Sequence, residues 1–228
     1  MPTQPPQLDV VRRNVGALRE VISELRGSPD AVKIVAVTKT FDASAMDLAL
    51  RAGCDAVGEN YAQELIDKLP QRSELPGLPV HFIGHVQTNK VKSLFPHVAL
   101  WHTVDRSSLV SAIAREADRL GLPARVLIQV NATEEEQKSG CSPDELEPLL
   151  QEARAAGLEV RGLMAMGPSD ADPDAIRRAF RLVASRARHL GLGELSMGMT
   201  HDVRIAIEEG TTMIRVGSGI FGERPRSA

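Results

Sequence analysis

The sequence is poor in most of the features that would assign a function class at a glance. It has two cysteines, Cys54 and Cys141, far apart and outside any CxxC or Cys/His spacing, which argues against a disulfide framework and a zinc site. Both are expected to be reduced and unpaired. Charge of either sign is not in excess: 27 basic against 30 acidic residues leave a formal net charge of −3. That balance gives no electrostatic footprint for nucleic acid or for an anionic membrane, so neither is expected as a partner. The opening segment MPTQPPQLDVVRRNVGALRE has no apolar run after Arg12 and Arg13, so it does not read as a signal peptide, and the expected location is the cytoplasm. No GxGxxG follows the first apolar run, and the only tyrosine is Tyr61.

What the chain does have is a regular alternation of short apolar runs and helical patterns. Residues 1–7, rich in Pro and Gln, are expected to be disordered. From Asp9, read as an N-cap, Val11, Val15, Leu18, Ile22 and Leu25 keep helical spacing up to Gly27. Strands are expected at 34–38, 56–57, 80–84, 98–104, 125–130, 160–166, 195–197 and 213–216. Helices are expected at 43–52, 62–69, 89–95, 107–120, 142–157, from 172 onward and 200–209. The stretch SPDELEPLLQEARAAG carries Ser142 as N-cap, Pro143 at the first helical position, Glu145 to complete a capping box and Gly157 as terminator. Asp172 and Pro173 start the next helix. Eight β/α units without a compositional break fit one TIM-like (β/α)8 barrel of residues 8–228 with an extra amino-terminal helix. An open doubly wound sheet is the competing topology.

In such a barrel the active site lies at the carboxyl ends of the strands, with a phosphate site commonly made by the turns after strands 7 and 8. Lys39 ends the first strand. The glycine-rich turn in MIRVGSGIFG, 213–222, offers backbone N–H groups at Gly217 and Gly219 and the Ser218 hydroxyl. LSMGMTHD, 195–202, is read as placing Thr200 at a helix start, where free N–H groups favour an anion. Both turns are expected across the barrel mouth from Lys39. Each alone has an ordinary explanation: turns contain glycine, Thr200 can merely cap a helix, and lysines after strands are usually solvated. Together they suit an aldehyde bearing a phosphate, since an amine in a partly dry pocket becomes a neutral nucleophile able to form a Schiff base. Pyridoxal 5′-phosphate (PLP) and a phosphorylated sugar both qualify.

AVTKT (36–40), GENYAQE (58–64), HFIGHVQTNK (81–90), VLIQVN (126–131), KSG (138–140), RGLMAM (161–166), LSMGMTHD and IRVGSGIFG run in order along the chain. On these segments the sequence resembles the pyridoxal phosphate homeostasis proteins, which are similar to the barrel domain of alanine racemases. The resemblance implies PLP held as a Schiff base on Lys39. It also implies a phosphate cradle of Gly217, Ser218, Ser196, Met199 and Thr200, Arg215 facing the pyridine nitrogen, and Asn60 facing the cofactor. Nothing is carried over to His85. Arg215 against the ring nitrogen can only donate, which keeps that nitrogen unprotonated and weakens the electron sink used in carbanion chemistry.

The implied function is PLP homeostasis: a protein that holds PLP without robust catalysis and hands it to PLP-dependent apoenzymes. A PLP-dependent amino-acid racemase is the alternative, and a Schiff-base aldolase a weaker one. Racemisation needs a base on each face of the substrate, and alanine racemases resemble this chain without its ending at Ala228: their second domain supplies a tyrosine. That domain is expected to be absent, and with it one dimer surface, so a monomer is expected. Tyr61 is expected to pack against helices. His81 and His85 sit on an expected strand with no glutamate between them, a poor zinc pattern. His201 and Asp202 are placed in a helical first turn, with Asp202 complementing the dipole. EEEQ, 134–137, reads as a solvated loop, and neither cysteine has an adjacent base.

Overall fold

The computed structural model describes residues 4–72, 77–133, 135, 138–169 and 172–223. Strand β1 (Lys33–Val37) sets the pattern of the whole: after an exposed Lys33 its residues are buried on both faces. Seven more strands follow, β2 (Ala56–Glu59), β3 (Val80–Phe82), β4 (Leu100–Val104), β5 (Arg125–Gln129), β6 (Glu159–Met164), β7 (Glu194–Ser196) and β8 (Met213–Val216). All pair in parallel in sequence order, and β1 pairs with β8 through Val35 and Arg215 as well as with β2, so the sheet closes into an eight-stranded barrel. A parallel sheet with helical crossovers and no edge is the (β/α)8 architecture, and the open-sheet alternative falls away.

Period-two alternation sorts the strand residues into two layers. Val35, Ala56, Leu100, Leu127, Met164 and Met213 form a small cluster inside the barrel. Their neighbours Ile34, Ala36, Val57, Trp101, Ile128, Leu163 and Ile214 belong to the larger core between barrel and helices. There Trp101 packs on Phe82 with ring centroids 6.0 Å apart.

The helices are α1 (Leu8–Arg26), α2 (Ser44–Arg51), α3 (Ala62–Lys68), α4 (Val91–Leu94), α5 (Ser107–Leu120), α6 (Leu146–Ala155), α7 (Pro173–His189), α8 (Val203–Glu208) and α9 (Ser218–Phe221). None of them is long and apolar enough to cross a membrane. The extra helix α1 packs on α2, α8 and α9. Its Arg19 meets Asp55 at 2.7 Å, while Asp55 accepts the Ile34 N–H at 2.6 Å, so α1 is bolted to the amino ends of β1 and β2.

Several boundaries differ from expectation. Helix α1 starts at Leu8 with Gln7 in the N-cap position, because the extended backbone of Gln7 (ψ 151°) ends the non-helical segment there. Asp9 therefore lies in the first turn, where its charge still suits the helix dipole. The 89–95 helix is one turn of α-helix between two 3-10 turns, the second carrying Pro96, which has no N–H to continue an α-helical ladder. The Ser142–Glu145 box forms, with Glu145 accepting the Ser142 N–H at 2.8 Å, but it closes a turn and α6 begins at Leu146. Asp172 caps α7 as expected, accepting the N–H groups of Asp174 and Ala175. Residues 1–3 of the amino-terminal segment, and Glu134, Glu136 and Gln137 of the acidic run, lie outside the described residues. Glu135 pairs with Lys138 and accepts the Ser169 N–H, and these bonds hold its carboxyl down at about 2.

Candidate functional site

Parallel strands put all eight carboxyl ends on one rim. Lys39 follows β1, Asn60 follows β2, Met199 and Thr200 follow β7, and Gly217 and Ser218 follow β8. Strands β7, β8, β1 and β2 are consecutive around the barrel. The lysine is thus not across the mouth from the two turns but on the stave next to β8, because barrel closure makes first and last strands neighbours.

Lys39 is half-buried at the tip of a tight turn. The Phe41 N–H donates to the Thr38 carbonyl at 3.2 Å, making residues 38–41 a β-turn with Lys39 and Thr40 in its centre. Thr40 has φ 70°, the only positive φ at a non-glycine among the described residues. For a β-branched residue that conformation costs about 1–3 kcal/mol. Beneath the turn is a buried ionic cluster. The Lys68 ammonium donates to the Thr38 carbonyl at 2.8 Å, to Glu59 Oε1 at 2.7 Å and to Glu64 Oε1. Glu59 Oε1 also accepts from the Thr38 hydroxyl at 2.7 Å, and Glu64 Oε1 from the Thr40 N–H. Glu59 is fully buried, and burial pushes its carboxyl up from the usual range despite Lys68.

On β7 and β8 the expected cradle residues separate into two groups. Thr200 and Ser218 bring their hydroxyl oxygens to 3.0 Å of each other, and Thr200 Oγ1 accepts the Gly219 N–H at 3.2 Å. A Cβ at Gly219 would stand 2.8 Å from Val216 Cγ1 and 3.3 Å from Thr200 Cγ2, so only glycine fits there. Thr200 does not start a helix: α8 begins at Val203, and a turn closed by Asp202 accepting the Met199 N–H intervenes. Asp202 is buried, its carboxyl pushed up by desolvation, and it closes that turn rather than capping α8. Met199 is 41% exposed.

Ser196 points into the barrel instead. Fully buried on β7, its hydroxyl accepts from Arg215 Nη1 at 2.6 Å, while Arg215 Nη2 donates to the Ala165 carbonyl at 3.1 Å. Burial lowers Arg215 to about 10, still far above neutrality, so it stays a cation. Ser196 Oγ also lies 3.0 Å from His102 Nδ1, and His102 Nε2 lies 3.0 Å from His81 Nδ1. A continuous chain, Arg215–Ser196–His102–His81, thus crosses the barrel interior. Arginine has no acceptor, so Ser196 Oγ accepts from Arg215; its hydroxyl proton and second lone pair let it either donate to or accept from His102 Nδ1, and the imidazole tautomer sets the direction of both the Ser196–His102 and His102–His81 bonds. Desolvation drives both imidazoles toward the neutral form, His81 to about 4 and His102 well below its ordinary value. Neither histidine was marked by sequence as a partner of the other. The period-two phase that puts Leu100 inside also puts His102 inside, and that signal was available.

Three buried oxygens at this end of β1 and β2, Asn60 Oδ1, Thr40 Oγ1 and Glu59 Oε2, have no hydrogen-bond partner among the described residues. Such groups are uncommon and mark places where a polar ligand would be accommodated. Asn60 is held by close packing: a Cβ on Gly84 would lie 2.1 Å from the Asn60 carbonyl oxygen. Tyr61, in the N-cap position of α3, is 55% exposed and does not pack against helices as expected. His85 and His201 are exposed. No group of three or more His, Cys, Asp or Glu among the described residues is placed to hold a metal ion. Cys54 and Cys141 are unpaired and buried, their thiols pushed up to about 12.

A closed parallel barrel with a lysine at the end of β1 and a hydroxyl-and-glycine turn at the end of β8 defines the class, and the family whose model matches is the alanine racemase N-terminal domain, over residues 7–225. The chain is 38% identical over 219 residues to the pyridoxal phosphate homeostasis protein of Pseudomonas aeruginosa, covering 92% of this chain and 93% of that one. It is 40% identical over 208 residues to that of Deinococcus radiodurans, covering 91% and 97%. Among solved structures it resembles PipY of Synechococcus elongatus with PLP bound, at 31% identity and a TM-score of 0.77, covering 90% of this chain and all of that one. The chain belongs to the alanine racemase N-terminal domain family and, within it, to the pyridoxal phosphate homeostasis proteins.

Proposed function

We propose that the protein binds PLP at this rim, covalently through Lys39, and serves PLP homeostasis without robust catalysis of its own. The observation that carries the reading is the grouping of a half-buried lysine, a paired-hydroxyl turn that admits only glycine, and an unpartnered buried oxygen on four consecutive strands. The residues fit the group. Thr200, Ser218 and the backbone at Gly217 and Gly219 offer donors for a phosphate. Arg215 offers only N–H groups to a ring nitrogen. Asn60 offers an amide. Met199, exposed beside Thr200, lines the rim. Bound there, PLP supplies an aldehyde that reacts with primary amines.

The chain's own residues argue for holding rather than turnover. Arg215, kept cationic and anchored to Ser196 and Ala165, has no acceptor for the N–H of a protonated ring and can only donate to an unprotonated ring nitrogen, so carbanion chemistry is poorly supported. Ser196, in this reading, serves Arg215 and not the phosphate. The protein is proposed to act in the cytoplasm, where unpaired thiols persist, as a monomer that releases the cofactor to PLP-dependent apoenzymes. The test is to load the purified protein with PLP, follow the visible absorption of the Schiff base, and then incubate it with L- and D-alanine in deuterated water. A yellow protein with no more than trace α-deuteration supports the proposal. A colourless protein ends the binding claim, and sustained racemisation ends the carrier claim in favour of a racemase.

A further inference from the structure

We propose that Glu64, Lys68 and Glu59 are positioning residues for Lys39: together they hold the 38–41 turn in the conformation that presents its amine. This rests on the assignment of Lys39 as the PLP lysine. Both residues flanking Lys39 are tied to the same buried cluster. The Thr38 carbonyl accepts from Lys68 and the Thr38 hydroxyl donates to Glu59, while the Thr40 N–H donates to Glu64. Lys68 supplies three donors to three acceptors, Thr38 O, Glu59 Oε1 and Glu64 Oε1, so every proton of an ammonium is used. An amine engaged in this way has no lone pair for an aldehyde, which leaves the chemistry to Lys39.

The need for a clamp is visible in Thr40. Its φ of 70° is that of the third residue of a type II turn, a position that favours glycine. A threonine stays there only when its surroundings over-determine the backbone. The Thr40 hydroxyl makes no bond that does so, being buried without a partner among the described residues. The ties that remain are the Phe41–Thr38 turn bond and the bond to Glu64. Glu64 is in turn held by Lys68 one helical turn further along α3. Helix α3 therefore acts on the turn that carries Lys39 through the backbone on either side of it.

The experiment compares the parent with Glu64→Ala, Glu64→Gln and Glu64→Ala/Thr40→Gly. Two quantities are read: exchange of the Thr40 amide in the protein without PLP, and the rate of Lys39 capture by added PLP. In Glu64→Ala, Thr40 exchange is expected to accelerate and capture to slow by on the order of tenfold, since small displacements of a reacting group have effects of that size. Adding Thr40→Gly is expected to restore capture, because glycine takes the positive φ unaided. Glu64→Gln, which keeps a carbonyl acceptor, is expected to lose about threefold by the same reasoning. If Glu64→Ala does not fold, Glu64→Gln with and without Thr40→Gly makes the same comparison. Unchanged capture and exchange in the Glu64 variants would overturn the proposal, as would a slow capture that Thr40→Gly fails to relieve. If the parent itself does not react at Lys39, the PLP assignment fails, and the exchange measurement still decides whether the clamp exists.

Discussion

Two neutral imidazoles sealed inside a barrel beside an arginine cation make stability depend on pH in a way that the structure fixes. His81 is held near 4 by burial, against an ordinary value of about 6.5 in the unfolded chain. Between those values the unfolded chain carries the proton and the native protein does not. Stability therefore rises with pH across that window and is lost as pH falls through it. From pH 7 to 5 one such histidine removes about 2 kcal/mol, from 1.36 kcal/mol per unit of difference. His102, fully buried and lowered as well, acts in the same direction. Glu59 and Asp202, both raised by burial, work in the opposite direction over the same range. They are common to parent and variant and cancel in a difference. The assay is urea unfolding followed by the fluorescence of Trp101, the sole tryptophan and buried, at pH 7 and 5 in the parent and in His81→Gln/His102→Gln. The parent should lose at least about 2 kcal/mol more than the double variant. Parallel losses would show that these rings already hold protons in the folded protein, and the neutral state that burial assigns to them would be wrong.

Gly84→Ala should destabilise the fold by about 3 kcal/mol, because its Cβ would press on the Asn60 backbone, and should weaken PLP binding as well; thermal unfolding and a PLP titration check the pair. Cys54 and Cys141, with thiols at about 12, should resist a thiol reagent at pH 8 in the folded protein and react once it is unfolded in urea. Arg215→Glu should shift the visible spectrum of the PLP-loaded protein by allowing the ring nitrogen to be protonated; an unchanged spectrum would separate Arg215 from the ring.

The barrel was legible because each stave is a short apolar run bounded by a helix with clear punctuation, as at Asp172–Pro173 and Gly121. Lys39 and the glycine turn could be placed at the carboxyl rim for the same reason, since strand ends can be counted, whereas Arg215 entered only through the family resemblance. What needed coordinates was anything created by closure. The distance between Lys39 and the β8 turn in sequence hides that β1 and β8 are neighbours. Ser196 reads as part of a phosphate loop until its inward phase sets it against Arg215 and His102. The His81–His102 contact joins adjacent staves at positions 21 apart in the chain. Thr200 was misplaced at a helix start because the Met199–Asp202 turn has no strong sequence signature. The Glu64/Lys68 spacing was open to view as an i, i+4 pair, but nothing in the sequence showed that it sits under Thr40 rather than in solvent.

The central claim is best tested by loading the full chain with PLP, reducing with borohydride and mapping the pyridoxyl group by peptide mass spectrometry. Attachment at Lys39, abolished by Lys39→Ala, is the expected result. Attachment at Lys90, Lys138 or Lys68 with Lys39 unmodified would contradict it.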